Sequence, residues 1–344
     1  PVDGVVFDAE LSPQQLRNLE KTLGKPTLDR SGVIIEIFSS HARTKEAKTQ
    51  VELAKVQYLL PRLTHFWTHF ERQRGGIGQK GMGEKQLEVD RRLLKKRIAL
   101  LQKRLKEIEK ERQVQRSGRV DLLKVALVGY TNAGKSTLLN GLTQSQVLAE
   151  DKLFATLDSS VRALDPHSHP PLVAIDTVGF IDKIPPSLIA SFRSTLEELY
   201  QADLLLHVVD ASSPRARDQF LVTEKILEEM DLKNKPRMTV LNKIDQVRNA
   251  SDLNWTRLIA PGSPRVSALS QSDLVKLRDL IIEHFKSTLD VWEVVIPYPE
   301  SKLDALVHAY ASIEKKKFLE QGVFYRLRIS PSIAGKLELD KYRT

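Results

Sequence analysis

The apolar positions of the first 43 residues predict a small α/β unit. Short apolar runs at Val5–Phe7 and Val33–Phe38 are typical of strands. Between these runs, Ser12 and Pro13 suit the N-cap and the first position of a helix, and Gly24 suits its end. Two lone strands make a poor sheet, so we expect part of this unit to lie upstream of residue 1.

Residues 44–119 carry apolar positions three and four residues apart, as in a pair of packed helices. The two apolar stripes are formed by Leu53, Val56, Leu60, Leu63, Trp67 and Phe70, and by Leu87, Leu94, Ile98, Leu101, Leu105 and Ile108. Pro61 should interrupt the first helix, because proline lacks a backbone N–H. Between the stripes, the stretch RQRGGIGQKGMGE at 72–84 holds five glycines. We therefore predict a helical hairpin arm with a glycine-rich tip at 73–83.

Residues 120–290 alternate apolar, strand-like runs with amphipathic helical segments. The runs lie at 125–128, 172–175, 204–209 and 238–241. This alternation is typical of an α/β fold with a doubly wound, mainly parallel sheet. Strand-like runs at 291–296 and 323–330 then flank a helical segment at 301–321. We predict that 291–344 form a small separate α/β module.

Composition narrows the class of protein. The chain has 344 residues, of which 41% are hydrophobic, and this suits two or three folded domains. It contains no cysteine, which excludes disulfides and thiolate metal sites, and no apolar run approaches the ~20 residues of a membrane span. We expect a cytoplasmic protein without a membrane span, and a monomer.

The net charge of +9 favours a polyanionic partner. Between Arg91 and Arg119 there are twelve Lys or Arg residues and only three acidic ones. We expect this part of the arm to be where a phosphate backbone would bind. The alternative is a solvated helix face and an exposed connector that bind nothing.

The segment GYTNAGKS at Gly129–Ser136 fits the phosphate-loop pattern GxxxxGK[ST]. It comes directly after one strand-like run and directly before a helical segment, which is the context that the pattern requires. There, backbone N–H groups can cradle phosphates, Lys135 can reach the β- and γ-phosphates, and the Ser136 hydroxyl can bind Mg²⁺. We therefore predict a nucleotide site at this loop.

Three later segments extend the predicted site, and the last two of them select the guanine base. In DTVG, Asp176 can hold Mg²⁺ through water and the Gly179 N–H can contact the γ-phosphate. In NKID, Asp245 can accept two hydrogen bonds from donors that guanine has and adenine lacks. In VSAL, Ala268 can donate its N–H to the guanine carbonyl. We predict GTP and GDP rather than ATP, because adenine would leave Asp245 unpaired.

Further residues complete the predicted site. Thr156 in the segment LFATLD is expected to be the second hydroxyl ligand of Mg²⁺, ordered when the γ-phosphate is present. Asn132 has two interpretations: it resembles the residue that helps bind K⁺ in cation-dependent GTPases, or it caps the loop. Phe180 stands where Ras-like proteins carry a water-positioning glutamine, so intrinsic hydrolysis should be slow. His207, within the run LLLHVVD, is expected to be a packed strand residue rather than a catalytic base.

Catalytic roles are predicted for Lys135, Thr156 and Gly179, and metal binding for Ser136, Thr156 and Asp176, the last through water. The predicted nucleotide-binding residues are Gly129, Tyr130, Thr131, Asn132, Ala133, Gly134, Lys135, Ser136, Thr137, Phe154, Thr156, Asp176, Gly179, Asn242, Lys243, Asp245, Ser267, Ala268 and Leu269.

These motifs, taken together with the arm, resemble the HflX family of translation-factor-class GTPases, over nearly the whole chain. The arm sequences that carry the resemblance are ARTKEAKTQVELAKVQYLLPRL, GGIGQKGMGE and LEVDRRLLKKRI. The family usually reads closer to GTRGPGE and LETDRR, so Gln79, Lys80 and Met82 depart from its pattern. The resemblance implies a GTPase domain at 120–290, preceded by an N-terminal subdomain at 1–43 and the arm at 44–119.

The resemblance also implies a function. Such a protein binds the large ribosomal subunit and its rRNA through residues 44–119, splits or rescues ribosomes, and hydrolyses GTP faster when the ribosome is bound. The glycine-rich tip would then lie near the peptidyl transferase centre, where Arg72, Arg74 and Lys80 would contact phosphates of the ribosomal RNA. Two other functions stay open: a GTP-gated scaffold whose arm binds a protein partner, and a GTPase of large-subunit assembly.

Overall fold

The computed structural model describes residues 2–63, 80–117, 122–143, 160–165, 171–182, 193–249 and 253–344. These residues divide into two compact units. The first contains the described residues of 2–115 with 182 and 193–196, and the second contains the others. Among the helices that the structure describes, none is long and apolar enough to cross a membrane.

The first unit begins with two short parallel strands, β1 (Val5–Val6) and β2 (Thr27–Leu28), joined by helix α1 (Pro13–Leu23). The predicted ends of α1 are confirmed. The Ser12 side chain accepts a hydrogen bond from the backbone N–H of Gln15, and Gly24 ends the helix with φ 64°. Local sequence therefore determines where this helix starts and stops.

The predicted strand at Val33–Phe38 is wrong, because these residues lie in helix α2 (Arg30–His41). Asp29 caps the helix by accepting the Gly32 N–H at 2.8 Å. Ile34, Ile35 and Phe38 are buried, and their spacing of one and four residues places them on one helical face. Packing of that face outweighs the preference of isoleucine and valine for strands.

Helix α3 (Lys45–Leu59), followed by a 3₁₀ turn at Leu60–Arg62, and the 38-residue helix α4 (Lys80–Ser117) form the described part of the arm. Leu53 and Val56 of α3 pack with Leu101 of α4, and the predicted interruption at Pro61 coincides with the 3₁₀ turn. An ion pair between Arg97 and Glu52 also joins the two helices.

The predicted glycine-rich tip at 73–83 is wrong at its C-terminal end. Residues 80–83 already belong to α4, while 73–79 lie outside the described residues, as do Trp67 and Phe70. Each glycine costs a helix only about 1 kcal/mol relative to alanine, and a long packed helix can absorb this cost.

Asp29 fixes the end of α3 onto the N-terminal elements. Its carboxylate, which is 1% exposed, accepts hydrogen bonds from the Tyr58 hydroxyl at 2.8 Å and from Arg62 Nη2 at 3.0 Å. The Arg62 guanidinium also stacks on the Tyr58 ring, 3.7 Å from its centroid. Burial, together with the Asp29 carboxylate, raises the pKa of Tyr58. This buried charge pair holds the chain immediately before residue 64.

The second unit contains a five-stranded sheet in the order β4-β5-β3-β6-β7. Its strands are β3 (Leu123–Val128), β4 (Ser160–Asp165), β5 (Leu172–Asp176), β6 (Leu204–Asp210) and β7 (Arg237–Asn242). The four strands predicted from apolar runs are confirmed and pair in parallel, while β4 is antiparallel and was not predicted. The helices that follow these strands along the chain are α5 (Lys135–Thr143), α6 (Arg193–Gln201), α7 (Ala216–Glu229), α8 (Thr256–Ile259) and α9 (Gln271–Thr288), and residues 193–196 of α6 belong to the first unit.

The C-terminal module is a three-stranded antiparallel sheet in the order β8-β10-β9. Its strands are β8 (Asp290–Ile296), β9 (Ser312–Leu319) and β10 (Gly322–Ile329), and its helices are α10 (Ser301–Tyr310) and α11 (Pro331–Lys336). The predicted helix at 301–321 is therefore wrong beyond Tyr310. Residues 312–319 pair with β10 instead, which satisfies their backbone groups through cross-strand hydrogen bonds.

Candidate nucleotide site

The phosphate-loop segment lies between the end of β3 at Val128 and the start of α5 at Lys135. Two of its residues must be glycine. A Cβ at Gly129 would lie 2.2 Å from the Val208 carbonyl oxygen, and Gly134 has φ +86° with a Cβ position 2.3 Å from Asn242 Nδ2. The tight turn therefore brings the loop against β6 and β7 and leaves the first N–H groups of α5 at its end.

Lys135 is buried at the centre of the loop. Its Nζ donates hydrogen bonds to the carbonyl oxygens of Gly129 at 3.1 Å and Tyr130 at 3.0 Å. Burial lowers the pKa of Lys135 to about 8, and the nearby Asp176 carboxylate opposes this shift. A phosphate group bound here would supply the negative charge that a buried ammonium lacks, and it would raise the pKa again.

Ser136 and Asp176 place two hard oxygen donors together beside this lysine. The Ser136 hydroxyl donates to Asp176 Oδ2 at 2.7 Å, and Asp176 is only 2% exposed at the end of β5. A hydroxyl and a carboxylate suit Mg²⁺, which prefers oxygen ligands and retains several of its waters. The donor set thus fits the predicted metal, while Thr156 and Phe154 lie outside the described residues.

The chain after Asp176 returns to the phosphate loop. The Phe180 N–H donates to the Gly129 carbonyl at 3.0 Å, and the Thr131 N–H donates to the Phe180 carbonyl at 2.7 Å. A Cβ at Gly179 would lie 2.8 Å from Thr131 Cα and 3.1 Å from Lys135 Nζ. Only glycine fits where the N–H is predicted to contact the γ-phosphate.

The Phe180 side chain is 2% exposed, packed into the protein. It therefore presents neither a polar group nor its ring to a water molecule at the phosphates. Any group that orients the attacking water must come from another part of the chain or from a partner.

Asn242, at the end of β7, joins the phosphate loop to the predicted base-binding loop. Its Nδ2 donates to the Ala133 carbonyl at 2.9 Å, and its Oδ1 accepts the Ala268 N–H at 3.1 Å. Asp245 follows in a 3₁₀ turn and is exposed, so its carboxylate is available to a base. The structure thus brings the NKID and VSAL segments together at the carboxyl edge of the sheet, where ligands of doubly wound folds bind.

Lys243 and Asn132 form a second connection between the same loops. Lys243 Nζ donates to the Asn132 carbonyl at 2.8 Å, and both residues have left-handed backbone angles, φ 59° and 61°. The Asn132 side chain is exposed. Asparagine is among the residues that tolerate this conformation best, which gives Asn132 a conformational role in the loop.

Ser267 and Leu269 hold the shape of the VSAL loop around Ala268. The Ser267 N–H donates to Asp273 Oδ2 at 3.0 Å, and the Leu269 N–H donates to Ser267 Oγ at 3.3 Å. The Leu269 side chain is 79% exposed, so its contribution is that of its backbone and surface rather than of core packing. Thr137, the remaining predicted contact, lies in the first turn of α5.

The sequence reasoning missed Asp210, at the end of β6. One carboxylate oxygen lies 2.9 Å from Lys243 Nζ, and the other accepts the hydroxyl and N–H of Ser212. Asp210 therefore positions the lysine that contacts the phosphate loop. The sequence did contain a signal for this residue: Asp210 directly follows a buried apolar run, just as Asp176 does.

His207 is confirmed as a packed strand residue. It is 1% exposed, stacks on the Phe220 ring at 4.7 Å, and its Nδ1 lies 3.0 Å from Glu224 Oε1. Burial lowers the pKa of His207, against the opposing effect of Glu224. The neutral ring thus belongs to the core beneath the site.

The phosphate loop lies between a parallel strand and a helix. The Asp176 carboxylate and the NKID segment, which suits a guanine base, lie at the same edge of the sheet. This arrangement defines a P-loop GTPase. Three family models match the chain: GTP-binding GTPase N-terminal at 1–39, GTP-binding GTPase Middle Region at 41–119 and 50S ribosome-binding GTPase at 124–243. GTPase HflX of Magnetococcus marinus is 43% identical over 98% of this chain and 78% of its own length. GTPase HflX of Escherichia coli K12 is 42% identical over 92% of this chain and 75% of its own length.

The chain therefore belongs to the HflX family of GTPases. Among solved structures, a GTP-binding protein of Sulfolobus solfataricus in complex with GDP is 28% identical. The match covers 82% of this chain and 80% of the Sulfolobus solfataricus chain, with a TM-score of 0.48. The sequence-based assignments of GTPase activity and of family are confirmed.

Proposed function

We propose that this GTPase is a switch that binds the large ribosomal subunit through residues 44–119 and splits or rescues ribosomes. Its intrinsic hydrolysis of GTP is slow, and the bound ribosome stimulates it. The match to the 50S ribosome-binding GTPase family supports the partner. The buried position of Phe180 supports the dependence on that partner.

The described residues support these roles. Lys135 and the N–H groups of the phosphate loop bind the β- and γ-phosphates. Ser136 and, through water, Asp176 would hold Mg²⁺, and Thr156, which lies outside the described residues, is the predicted further ligand; the ion would supply positive charge beside the phosphates. Asp245 selects guanine. The Ala268 N–H, which donates to Asn242 Oδ1 in the structure, would be shared with the guanine carbonyl when the base is bound. Gly179 donates its N–H to the γ-phosphate and so reports whether GTP or GDP is bound.

The observation that carries the stimulation is the burial of Phe180. With no polar side chain at this position, hydrolysis by the isolated protein should run on the order of 10⁻⁴ to 10⁻² s⁻¹, as in unassisted GTPases. A large-subunit RNA group near the γ-phosphate, or ordering of the segment around Thr156, would complete the site.

The arm supplies the charge for an RNA partner. Among the side chains of α4 that the structure describes, at 88–111, eight cations are exposed: Arg91, Arg92, Lys95, Lys96, Lys103, Arg104, Lys106 and Lys110. Arg97 is instead engaged by Glu52. Exposed cations along one helix can contact successive phosphates of an RNA backbone. Their contribution to binding affinity falls steeply as the salt concentration rises, because salt cations compete for the same phosphates.

The test compares GTP turnover with and without purified large subunits in three proteins. These are the wild type, an arm variant with Lys95→Gln, Lys96→Gln and Lys103→Gln, and a control with Lys21→Gln, Lys276→Gln and Lys302→Gln, all exposed lysines elsewhere. We expect large subunits to stimulate GTP turnover strongly in the wild type and in the control. In the arm variant the stimulation should be weak, and lowering the salt concentration should restore it.

Absence of stimulation in a wild type that binds GTP would refute ribosome activation and favour the scaffold. Light scattering of intact ribosomes, with GTP and the protein added, separates the remaining functions. A drop in scattering indicates splitting, while stimulation without a drop indicates an assembly role.

Potassium binding beside Asn132 is a separate proposal. Its support is the exposed Asn132 side chain within the phosphate loop. Turnover in K⁺ and in Na⁺ at equal ionic strength tests it, and equal rates in both salts would leave Asn132 with its conformational role alone.

A further inference from the structure

The sheet of the C-terminal module has one covered face and one open face. Alternate residues of its central strand, Val323, Tyr325 and Leu327, are buried in a core with α10 and α11. The residues between them lie on the opposite face, because side chains alternate along a strand. On that face Arg326 is exposed and Phe324 is half-buried. The central strand therefore presents an aromatic and a cation to solvent.

The strand register extends this open face on both sides. Phe324 lies opposite Val295 of β8 and Lys317 of β9, and Arg326 lies opposite Lys315 of β9. Both lysines are exposed. Arg326 also lies opposite Glu293 of β8. We define the open face by Glu293, Val295, Lys315, Lys317, Phe324, Arg326 and Arg328.

The acidic residues on this side are already engaged by arginines. Glu314 lies 2.6 Å from Arg328 Nε and 3.2 Å from Arg326 Nε, and these guanidinium groups hold the pKa of Glu314 below its usual value. Glu293 Oε1 lies 3.7 Å from Arg326 Nη1. Within the part of the chain that the structure describes, no carboxylate pairs with Lys315 or Lys317. The positive charge of the open face is therefore concentrated on these two lysines of the edge strand.

An aromatic ring on the central strand, bordered by cations on an edge strand, is the arrangement by which open sheets bind single-stranded nucleic acid. A base stacks on the ring, and the phosphates follow the cations. Pairing of β9 with a strand of another protein is disfavoured, because consecutive lysines along an edge strand oppose such pairing. Charge and shape both favour RNA over a protein strand.

The geometry points to the open face as an RNA-binding surface that is separate from the arm. It takes a single-stranded segment, with one base on Phe324 and its flanking phosphates on Lys315 and Lys317. This surface would give the protein a second contact with RNA. It depends on neither the nucleotide site nor the function proposed for the arm.

The test uses the full chain carrying the three arm substitutions, so that binding by α4 is reduced. Binding of a labelled uridine-rich ten-nucleotide RNA is measured by fluorescence anisotropy over a range of salt, and ultraviolet cross-links are mapped by mass spectrometry. Lys315→Gln with Lys317→Gln should lower the slope of log K against log salt by about 1.4, since each single-strand phosphate contact contributes about 0.7. The control, Lys276→Gln with Lys302→Gln, should leave the slope unchanged.

Phe324→Leu keeps an apolar side chain but removes the stacking ring, and should weaken binding at least about fivefold and remove cross-links from the peptide that contains residue 324. Cross-links confined to 44–119, or an unchanged salt slope in the lysine variant, would overturn the proposal. The lysine variant tests it even if Phe324→Leu proves unstable, since both lysines are exposed. Stimulation of turnover by large subunits is scored separately, so that failure here leaves the arm proposal standing.

Discussion

Replacing Asn242 with alanine should loosen both loops that we assign to the nucleotide. The Asn242 amide donates to the Ala133 carbonyl at 2.9 Å and accepts the Ala268 N–H at 3.1 Å, and the residue is 1% exposed. The substitution removes both hydrogen bonds while leaving the apolar core of the sheet intact. It therefore isolates the connection between phosphate loop and base loop.

The magnitude follows from these two contacts. A neutral buried hydrogen bond contributes about 1 kcal/mol, and a buried group that loses its partner adds a desolvation cost of about 1 kcal/mol or more. Ala133 is 1% exposed whereas Ala268 is half-buried, so water can replace the lost contact more readily at Ala268. We expect a loss of about 2 kcal/mol, which corresponds to roughly a 30-fold weaker nucleotide affinity if the nucleotide must order both loops.

The assay is a titration with a fluorescent GDP analogue, accompanied by thermal unfolding. Asn249→Ala is the matched control, because Asn249 is exposed just beyond the same loop, and it should bind as the wild type does. Asn242→Asp keeps an acceptor for Ala268 but places a carboxylate against the Ala133 carbonyl, and it should bind more weakly still. A dissociation constant for Asn242→Ala within threefold of the wild type would refute this reasoning.

Two further predictions concern Gly179 and His207. Gly179→Ala should lower GTP turnover at least about tenfold with little change in GDP affinity, because the new Cβ would lie 2.8 Å from Thr131 Cα. The control is Gly335→Ala, where nothing lies within 4 Å of the Cβ position. Equal turnover in the two variants would contradict the argument from this close approach. Burial keeps the pKa of His207 below its usual value, so the unfolded chain binds a proton near pH 6.5 that the folded chain does not. The stabilisation is therefore complete above that pH and is lost as pH falls, by at most about 1.4 kcal/mol per pH unit. Urea unfolding between pH 7.5 and 5.5 should show this slope in the wild type and a flatter one in His207→Gln, and identical slopes would show that another group titrates.

Parts of this protein could be predicted from short stretches of sequence. The ends of α1 follow from Ser12 and Gly24, because capping depends on residues within one turn of the helix end. The phosphate loop follows from its glycines and its lysine, because a strand, a tight turn and a helix must succeed one another within a few residues. The four parallel strands follow from their apolar runs, since strands covered on both faces need no polar positions.

Other elements depend on contacts with residues that are distant in sequence, so their secondary structure follows only from the tertiary fold. Residues 33–38 read as a strand in isolation, but the capping carboxylate of Asp29 and the packing of Phe38 make them helical. Residues 312–319 read as the end of a helix, but β10 pairs with them. Propensities of this kind differ by less than about 1 kcal/mol per residue, which packing and cross-strand hydrogen bonds exceed.

The same distinction holds at the site. The sequence alone indicated the family and the guanine nucleotide, and it supplied the residues that we predict to bind that nucleotide. Only the fold brought Asp210 to Lys243, Asn242 to Ala133 and Ala268, and the Phe180 side chain into the core. Motifs report chemistry that lies within a few residues, whereas the contacts that position that chemistry join strands that are adjacent only after the sheet has formed.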